Sequence, residues 1–128
     1  MSLVLLVEDS PDLLEVYTYI LERRGHRVLT ARDGLEGLAL AHRHQPDLVI
    51  TDWHLPRLDG VEMSKRMRRS PDLRSIPILL LSSYPGPHCP WVSLFLSKSA
   101  SLEDLERGIA QLVARPGSEE TRPCRMAL

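Results

Sequence analysis

Residues 48–60 read LVITDWHLPRLDG, and this stretch decides the fold. Its first four residues form a short apolar run, which predicts a strand buried on both faces. The strand ends at Asp52. Gly60 then begins a segment with apolar residues at helical spacing, which Ser70-Pro71 stops. The stretch therefore predicts a strand that carries an acid at its carboxyl end, followed by a helix over residues 60–69.

The segments before this stretch repeat the strand-then-helix pattern. An apolar run over residues 3–7 predicts another buried strand, and an acidic pair follows it. The triplet Ser10-Pro11-Asp12 is typical of a helix start, with a capping serine, a proline and an acid in the first turn. Residues 26–30 are a second strand candidate. Residues 33–46 begin with capping-box spacing and end in a proline, which predicts a second helix.

The segments after it continue the alternation. Residues 76–81 predict a fourth strand that ends at two serines, and residues 94–96 predict a brief fifth strand leading to Lys98. Residues 102–113 have the spacing of an amphipathic helix. Residues 115–128 show no periodicity, and we expect them to be a disordered tail.

Strands that alternate with helices predict an α/β fold. The sheet should be parallel with helices on both faces, because parallel crossover connections must cover the sheet. In such sheets ligands bind beyond the carboxyl ends of the strands. A chain of 128 residues can bury one core but not two, so we expect a single domain over residues 1–114.

Composition excludes several classes of protein. The formal charge is −1, from 16 basic and 17 acidic residues, whereas nucleic-acid-binding domains normally carry a basic excess. Cys89 and Cys124 lack the spacing of a metal site or a disulfide framework. No apolar run approaches the roughly 18 residues of a membrane span, and no signal-peptide pattern is present. We therefore expect a cytoplasmic protein without nucleic-acid or membrane partners.

Basic residues cluster on the third predicted helix, where we expect a solvated face rather than a docking patch: Lys65, Arg66, Arg68 and Arg69.

Residues whose side chains can bind a metal or take part in a reaction lie at the carboxyl ends of the predicted strands: Glu8, Asp9, Asp52, Ser82 and Lys98. Clustered carboxylates repel one another unless a cation neutralises them. Oxygen ligands without Cys or His point to Mg2+. A carboxylate beside Mg2+, with an ammonium and a hydroxyl to hold phosphoryl oxygens, is the arrangement that forms an aspartyl phosphate. Each of these residues, taken alone, is most simply interpreted as a solvent-facing polar group. Together they predict a phosphoryl-accepting site.

These motifs resemble the receiver domains of bacterial two-component response regulators, over roughly residues 3–114. The matching segments are Glu8-Asp9, Asp52-Trp53-His54-Leu55-Pro56-Arg57-Leu58-Asp59-Gly60, Pro77-Ile78-Leu79-Leu80-Leu81-Ser82-Ser83 and Phe95-Leu96-Ser97-Lys98. The resemblance implies a flavodoxin-like sheet of five parallel strands in the order 2-1-3-4-5.

The resemblance also implies an acceptor and a metal site. Asp52 would be the phospho-acceptor. Mg2+ would be bound by Asp9, Asp52 and the backbone carbonyl of His54, while Glu8 would act mostly through a water molecule.

The remaining implied roles concern the phosphoryl group and its readout. Ser82 and Lys98 would hold the phosphoryl group, Ser82 would also take part in switching, and Phe95 would be the rotating switch aromatic. His54 and Tyr84 occupy the two positions that tune phosphoryl lifetime in the family. Bulky groups there either shield the acyl phosphate from water or are simply solvent-facing residues.

One departure from the family lies between the fourth and fifth strands. The interval from Ser82 to Lys98 is short for the family, and residues 85–90 contain three prolines. Proline cannot sit inside a regular helix, so the fourth helix of the family should be absent or reduced to about one turn around residues 91–94. We expect an altered output surface, although a harmless loop variation would produce the same sequence.

A second departure follows Lys98, where Ser99 stands in place of the proline that the family usually has in a cis bond. A cis bond to a non-proline residue costs about 2.5–4 kcal/mol. We therefore expect a trans bond, a displaced Lys98 and weaker phosphoryl binding. Phe95 also lacks the phenolic hydroxyl of a tyrosine.

The leading hypothesis is a signalling switch in which Asp52 receives a phosphoryl group from a histidine kinase or phosphotransfer protein. Such a chain catalyses only its own phosphorylation and dephosphorylation, acts on an unknown downstream protein, and is a monomer or weak dimer. The alternative is a degenerate receiver that acts as a phosphorylation-independent interaction module. A Mg2+ phosphatase of another α/β family is disfavoured, because His54 stands where those enzymes usually have a second acid.

Overall fold

The computed structural model of the chain describes residues 2–83 and 89–113, together with the backbone of residues 126–127. Strands and helices alternate along most of the chain, as predicted. The strands are β1 Leu3–Val7, β2 Arg27–Ala31, β3 Leu48–Asp52, β4 Ile78–Ser82, β5 Leu94–Ser97 and β6 Met126–Ala127. The helices are α1 Pro11–Arg23, α2 Gly34–His44, α3 Gly60–Arg69 and α4 Leu102–Val113.

All described strands pair in parallel in one sheet, in the order β2-β1-β3-β4-β5-β6. The first five strands follow the predicted order 2-1-3-4-5, so the predicted fold is confirmed. The chain leaves β1 toward β2 on one side and later returns to place β3 on the other side. The connections therefore diverge at the carboxyl ends of β1 and β3, where sheets of this kind bind ligands.

Strand β6 is an element that the sequence did not predict. Its backbone pairs with β5, so that Met126 lies beside Phe95 and Ala127 beside Leu96. Two residues are too few to show a periodic pattern, and the open edge of β5 supplies the hydrogen-bonding partner that makes them a strand. The other residues of the predicted tail, 115–125 and 128, lie outside the described residues, so its disorder and the boundary at residue 114 stay predictions.

The sheet is covered on both faces, as predicted. On one face the strand side chains pack against Leu21 of α1 and three residues of α4: Leu105, Ile109 and Leu112. On the other face they pack against Ala41 of α2 and against Met63 and Met67 of α3. Alternate residues of one strand supply the two faces, because successive side chains of a strand point in opposite directions. The two cores together hold the sheet between the two layers of helices.

The connection between β4 and β5 contains no helix in residues 83 and 89–93, the part of it that the structure describes. A single turn is present, in which the Val92 N–H donates to the Cys89 carbonyl at 3.4 Å. Both of these side chains are buried and join the core formed with α2 and α3. The predicted reduction of the fourth helix is therefore confirmed, and α4 corresponds to the fifth helix of the family.

Side-chain caps begin three helices directly after the loops at the carboxyl edge. Ser10 Oγ accepts from the Leu13 N–H at 3.3 Å. Asp33 Oδ1 and Asp59 Oδ1 accept from the N–H groups three residues later, at 2.8 and 2.7 Å. Each such cap stabilises a helix by about 1 kcal/mol. The caps therefore fix where the strand-end loops finish and orient the loops that carry the candidate site.

The helices are short. The four in the described residues have 13, 11, 10 and 12 residues. None of them is long and apolar enough to cross a membrane.

Candidate functional site

Three carboxylates meet at the carboxyl edge of the sheet. One oxygen from each of Glu8, Asp9 and Asp52 lies within 4.8 Å of the other two. The reason is the strand register: β1 and β3 are neighbours, with Val7 beside Thr51, so the residues that follow both strands are adjacent. Glu8 and Asp52 are only 2% and 9% exposed, while Asp9 is exposed. The predicted convergence of these acids is therefore present.

Lys98 lies between the two buried acids. Its Nζ is 3.1 Å from Glu8 Oε1 and 3.1 Å from Asp52 Oδ2. The predicted trans bond to Ser99 is confirmed, since none of the described peptide bonds is cis. The predicted displacement of Lys98 is wrong. Its backbone N–H donates to the Ser82 carbonyl at 2.8 Å, which extends the β4–β5 pairing and aims the side chain at the acids without the help of a proline.

The electrostatics of the site follow from burial and from this ion pair. Burial raises the pKa of Glu8 above its ordinary value, while hydrogen bonds from the Ser10 N–H and from Lys98 oppose the rise. Burial alone would lower the pKa of Lys98, but hydrogen bonds to Asp52 and Glu8 outweigh burial and raise it. Lys98 therefore stays an ammonium at neutral pH and serves as the counter-ion of the buried carboxylates.

Backbone donors orient the two buried carboxylates. Asp52 Oδ1 accepts from the Trp53 N–H at 2.8 Å, which leaves Oδ2 directed at Lys98. Glu8 Oε2 accepts from the Ser10 N–H at 3.1 Å. Both oxygens of Glu8 thus have a protein donor. Ser82 is fully buried at the end of β4, and it is paired in the sheet with Ser97, the residue before Lys98.

The loop after Asp52 is held by close backbone contacts that the sequence did not reveal. The Gly60 N–H donates to the Trp53 carbonyl at 2.8 Å, and a Cβ on Gly60 would lie 2.1 Å from the Asp52 carbonyl oxygen. The buried Thr51 hydroxyl donates to the same Asp52 oxygen at 2.8 Å. Thr51 at a strand end and a glycine at a helix start are common, so neither marks a site by itself.

The other residues predicted for the site that the structure describes, His54 and Phe95, do not share one environment. His54 is exposed, and its ring stacks on Trp53 with centroids 5.0 Å apart. Phe95 is 2% exposed and packs in the core with α2 and α3, so its ring points into the protein. Tyr84 lies outside the described residues. The roles predicted for these three residues stay predictions.

The donor set of the site fits a hard divalent cation. The grouped residues are all carboxylates, without Cys or His, which is the ligand chemistry of Mg2+. Three carboxylates and one ammonium leave an excess of negative charge for a divalent ion to neutralise. The exposed Asp9 opens the group to solvent, which suits an ion that keeps several of its waters.

Comparisons with known proteins identify the family of the chain. The family model of the response regulator receiver domain matches residues 4–88. Over 83 residues the chain is 34% identical to protein PilH of Pseudomonas aeruginosa, an alignment that covers 65% of this chain and 69% of PilH. The chain thus spans about two thirds of that relative.

Solved structures show the same fold. The receiver domain of a signal transduction histidine kinase from Syntrophus aciditrophicus superposes with a TM-score of 0.84 at 29% identity, covering 95% of this chain and 96% of that one. A sensor histidine kinase receiver domain from Pseudomonas aeruginosa, with a magnesium ion coordinated in its active-site cleft, superposes with a TM-score of 0.82 at 28% identity, covering 89% and 98%. The chain belongs to the response regulator receiver domain family.

Proposed function

We propose that the chain is a phospho-accepting signalling switch in which Asp52 receives the phosphoryl group. The observation that carries the proposal is the convergence of Glu8, Asp9, Asp52 and Lys98. Asp52 contacts Lys98 and groups with both other acids. Glu8 shares these contacts, so the choice of Asp52 as acceptor rests on its match to the receiver domain family. A carboxylate in this setting is a nucleophile whose charge is balanced by neighbouring cations.

The proposed metal ligands are Asp9, Asp52 and the backbone carbonyl of His54. Glu8 would act mostly through a water molecule, as the resemblance to the family implies. Bound Mg2+ supplies the positive charge that neutralises the carboxylates and an incoming phosphoryl group.

In the proposed transfer, a carboxylate oxygen of Asp52 attacks phosphorus and an acyl phosphate forms. The bond between phosphorus and a histidine nitrogen of the donor protein breaks, and the electron pair stays on that nitrogen. Lys98 balances charge on a phosphoryl oxygen, because its Nζ is already 3.1 Å from Asp52. Ser82 donates a hydrogen bond to another phosphoryl oxygen.

The chain so described catalyses only its own phosphorylation and dephosphorylation. Its donor is a histidine kinase or a phosphotransfer protein, and its output is a protein-interaction surface read by a downstream protein in the cytoplasm. Ser82 and Phe95 respond to phosphorylation, and His54 and Tyr84 tune the lifetime of the acyl phosphate. The reduced β4–β5 connection favours the alternative, an interaction module that works without phosphorylation, because it alters a segment next to Ser82.

The decisive experiment is incubation with acetyl phosphate and Mg2+, followed by intact-mass spectrometry. We expect a mass gain of one phosphoryl group that is absent in Asp52→Asn and without Mg2+. Asp12→Asn, at an exposed acid of α1, is the matched control and should still gain the group. No gain in the unmodified chain, or an equal gain in Asp52→Asn, would favour the alternative module.

A further inference from the structure

Arg68 is half-buried on α3, within the basic run that the sequence predicted to be a solvated face. Each of its three nitrogens makes a hydrogen bond within the protein. Its Nε donates to the Trp91 carbonyl at 2.9 Å, and its Nη2 contacts Ser93 Oγ at 3.3 Å. Its Nη1 donates to the Arg74 and Ile76 carbonyls at 2.9 and 2.7 Å. One guanidinium thus joins α3 to the segments on both sides of β4.

This placement of a half-buried charge is unusual because, within the part of the chain that the structure describes, no carboxylate pairs with Arg68. Burial lowers the pKa of the Arg68 guanidinium to about 10, so the group stays charged at neutral pH. A buried charge is tolerated only when several polar groups satisfy it. Here the carbonyls of segments without regular structure do so, and the planar five-donor geometry of arginine suits them.

A second residue of α3 holds the same segment. Lys65 Nζ lies 5.4 Å from the centre of the Trp91 ring, a cation–π contact. The backbone and the ring of Trp91 are therefore both attached to α3. They lie in the segment of residues 89–93, which takes the place of the family's fourth helix and which we call the β4–β5 turn.

Helix α3 also touches the acceptor loop. Its first residue, Gly60, donates its N–H to the carbonyl of Trp53, which follows Asp52. Ser93, which Arg68 of the same helix contacts, lies two residues before Phe95. The Ser93 N–H donates to the Ile78 carbonyl at 2.9 Å, and Ser93 Oγ accepts from the Ile78 N–H at 3.0 Å. One rigid helix thus connects the acceptor loop to the residues that introduce the predicted switch aromatic.

We propose that Arg68 is a positioning residue that couples the occupancy of Asp52 to the β4–β5 turn. The surface around Trp91 then responds to phosphorylation in place of the family's fourth helix, which is reduced here. The inference rests on the proposed function. It differs from a purely structural role, in which Arg68 would stabilise the turn equally whether or not Asp52 is modified. Coupling of this kind requires an element that both sites bias.

The two tryptophans of the chain allow the site and the turn to be observed separately. In Trp91→Phe, Trp53 reports the site; in Trp53→Phe, Trp91 reports the β4–β5 turn. Each protein is titrated with beryllofluoride in the presence of Mg2+, and tryptophan emission is recorded. With Arg68 intact, we expect both tryptophans to respond with the same midpoint.

In Arg68→Met we expect the Trp53 response to persist and the Trp91 response to be lost. Arg69→Met removes the same charge from an exposed neighbour and should leave both responses unchanged. Arg68→Lys keeps a charge but not the planar donor set, so the Trp91 response should again be lost; this variant decides the matter if Arg68→Met does not fold.

The possible results distinguish the coupling role of Arg68 from the proposed phospho-accepting function of Asp52. An unchanged Trp91 response in a folded Arg68 variant, or a silent Trp91 beside a responding Trp53 with Arg68 intact, would overturn the coupling role alone. A silent Trp53 with Arg68 intact would instead contradict the proposed function.

Discussion

The Nζ of Lys98 lies 3.1 Å from Asp52 Oδ2 and equally close to Glu8 Oε1, so one ammonium bridges two buried acids at the ends of different strands. The same ammonium therefore affects both the binding of a cation by the acids and the binding of a phosphoryl group at Asp52. A cation that approaches the acids from solvent competes with Lys98 for their oxygens. A phosphoryl group on Asp52 would instead bring new negative charge toward the same ammonium.

Removal of the Lys98 ammonium should therefore change the affinity for Mg2+ and the affinity for a phosphoryl group in opposite directions. In Lys98→Met we expect Mg2+ affinity to rise by about tenfold, because a like charge leaves the carboxylate group. We expect beryllofluoride binding at Asp52 to weaken in the same variant. Isothermal titration calorimetry measures both, with Arg43→Met on the exposed face of α2 as the control. A joint loss of both affinities would contradict this division of roles.

Mg2+ should stabilise the fold through the acidic group. At a free concentration about one hundred times its Kd, a ligand that binds only the folded state adds about 2.7 kcal/mol to the free energy of unfolding. Urea denaturation with and without Mg2+ measures this gain. Asp9→Asn removes an exposed carboxylate and should abolish most of it without lowering stability in the metal-free protein. A full gain in that variant would place the ion elsewhere.

The titration of Glu8 should depend on Lys98. Burial raises the pKa of Glu8 above the ordinary 4.5, and Lys98 restrains the rise. The contribution of Glu8 to stability is therefore present below about pH 4.5 and is lost as the pH rises through the folded-state value. Carbonyl NMR of the metal-free protein should give a Glu8 midpoint above 4.5 and a still higher one in Lys98→Met. An unchanged midpoint in the variant would show that Lys98 does not act on Glu8.

Two of the helical glycines, at positions 60 and 108, should tolerate alanine very differently. A Cβ at Gly60 would lie 2.1 Å from the Asp52 carbonyl oxygen, so the acceptor loop would have to move. A Cβ at Gly108 would instead meet the flexible side-chain ends of Leu94 at 2.9 Å and Leu79 at 3.7 Å. We expect Gly60→Ala to cost at least about 2 kcal/mol, a typical penalty for backbone strain and overpacking. Gly108→Ala should be within about 1 kcal/mol of neutral, because alanine favours the helix. Equal penalties in urea denaturation would refute the close approach at Gly60.

The sequence by itself determined the first five strands, the helices and the acids of the site. Buried parallel strands are uniformly apolar, and helix starts carry capping residues, so both are visible in a local window. Glu8, Asp9 and Asp52 could be assigned to one edge because residues that follow neighbouring parallel strands must meet there. Resemblance to a known family supplied the strand order, which local patterns do not contain.

Only the tertiary structure decided which polar groups are buried and what they contact. A basic run looks the same whether Arg68 faces water or the carbonyls of Trp91 and Ile76, because its partners are distant in sequence. Lys98 reaches the acids because β4–β5 pairing aims it, a constraint that outweighs the missing proline. The pairing of β6 with Phe95 likewise depends on a free sheet edge. Local propensity sets the elements, but the energies of long-range contacts depend on distances that arise only once those elements pack.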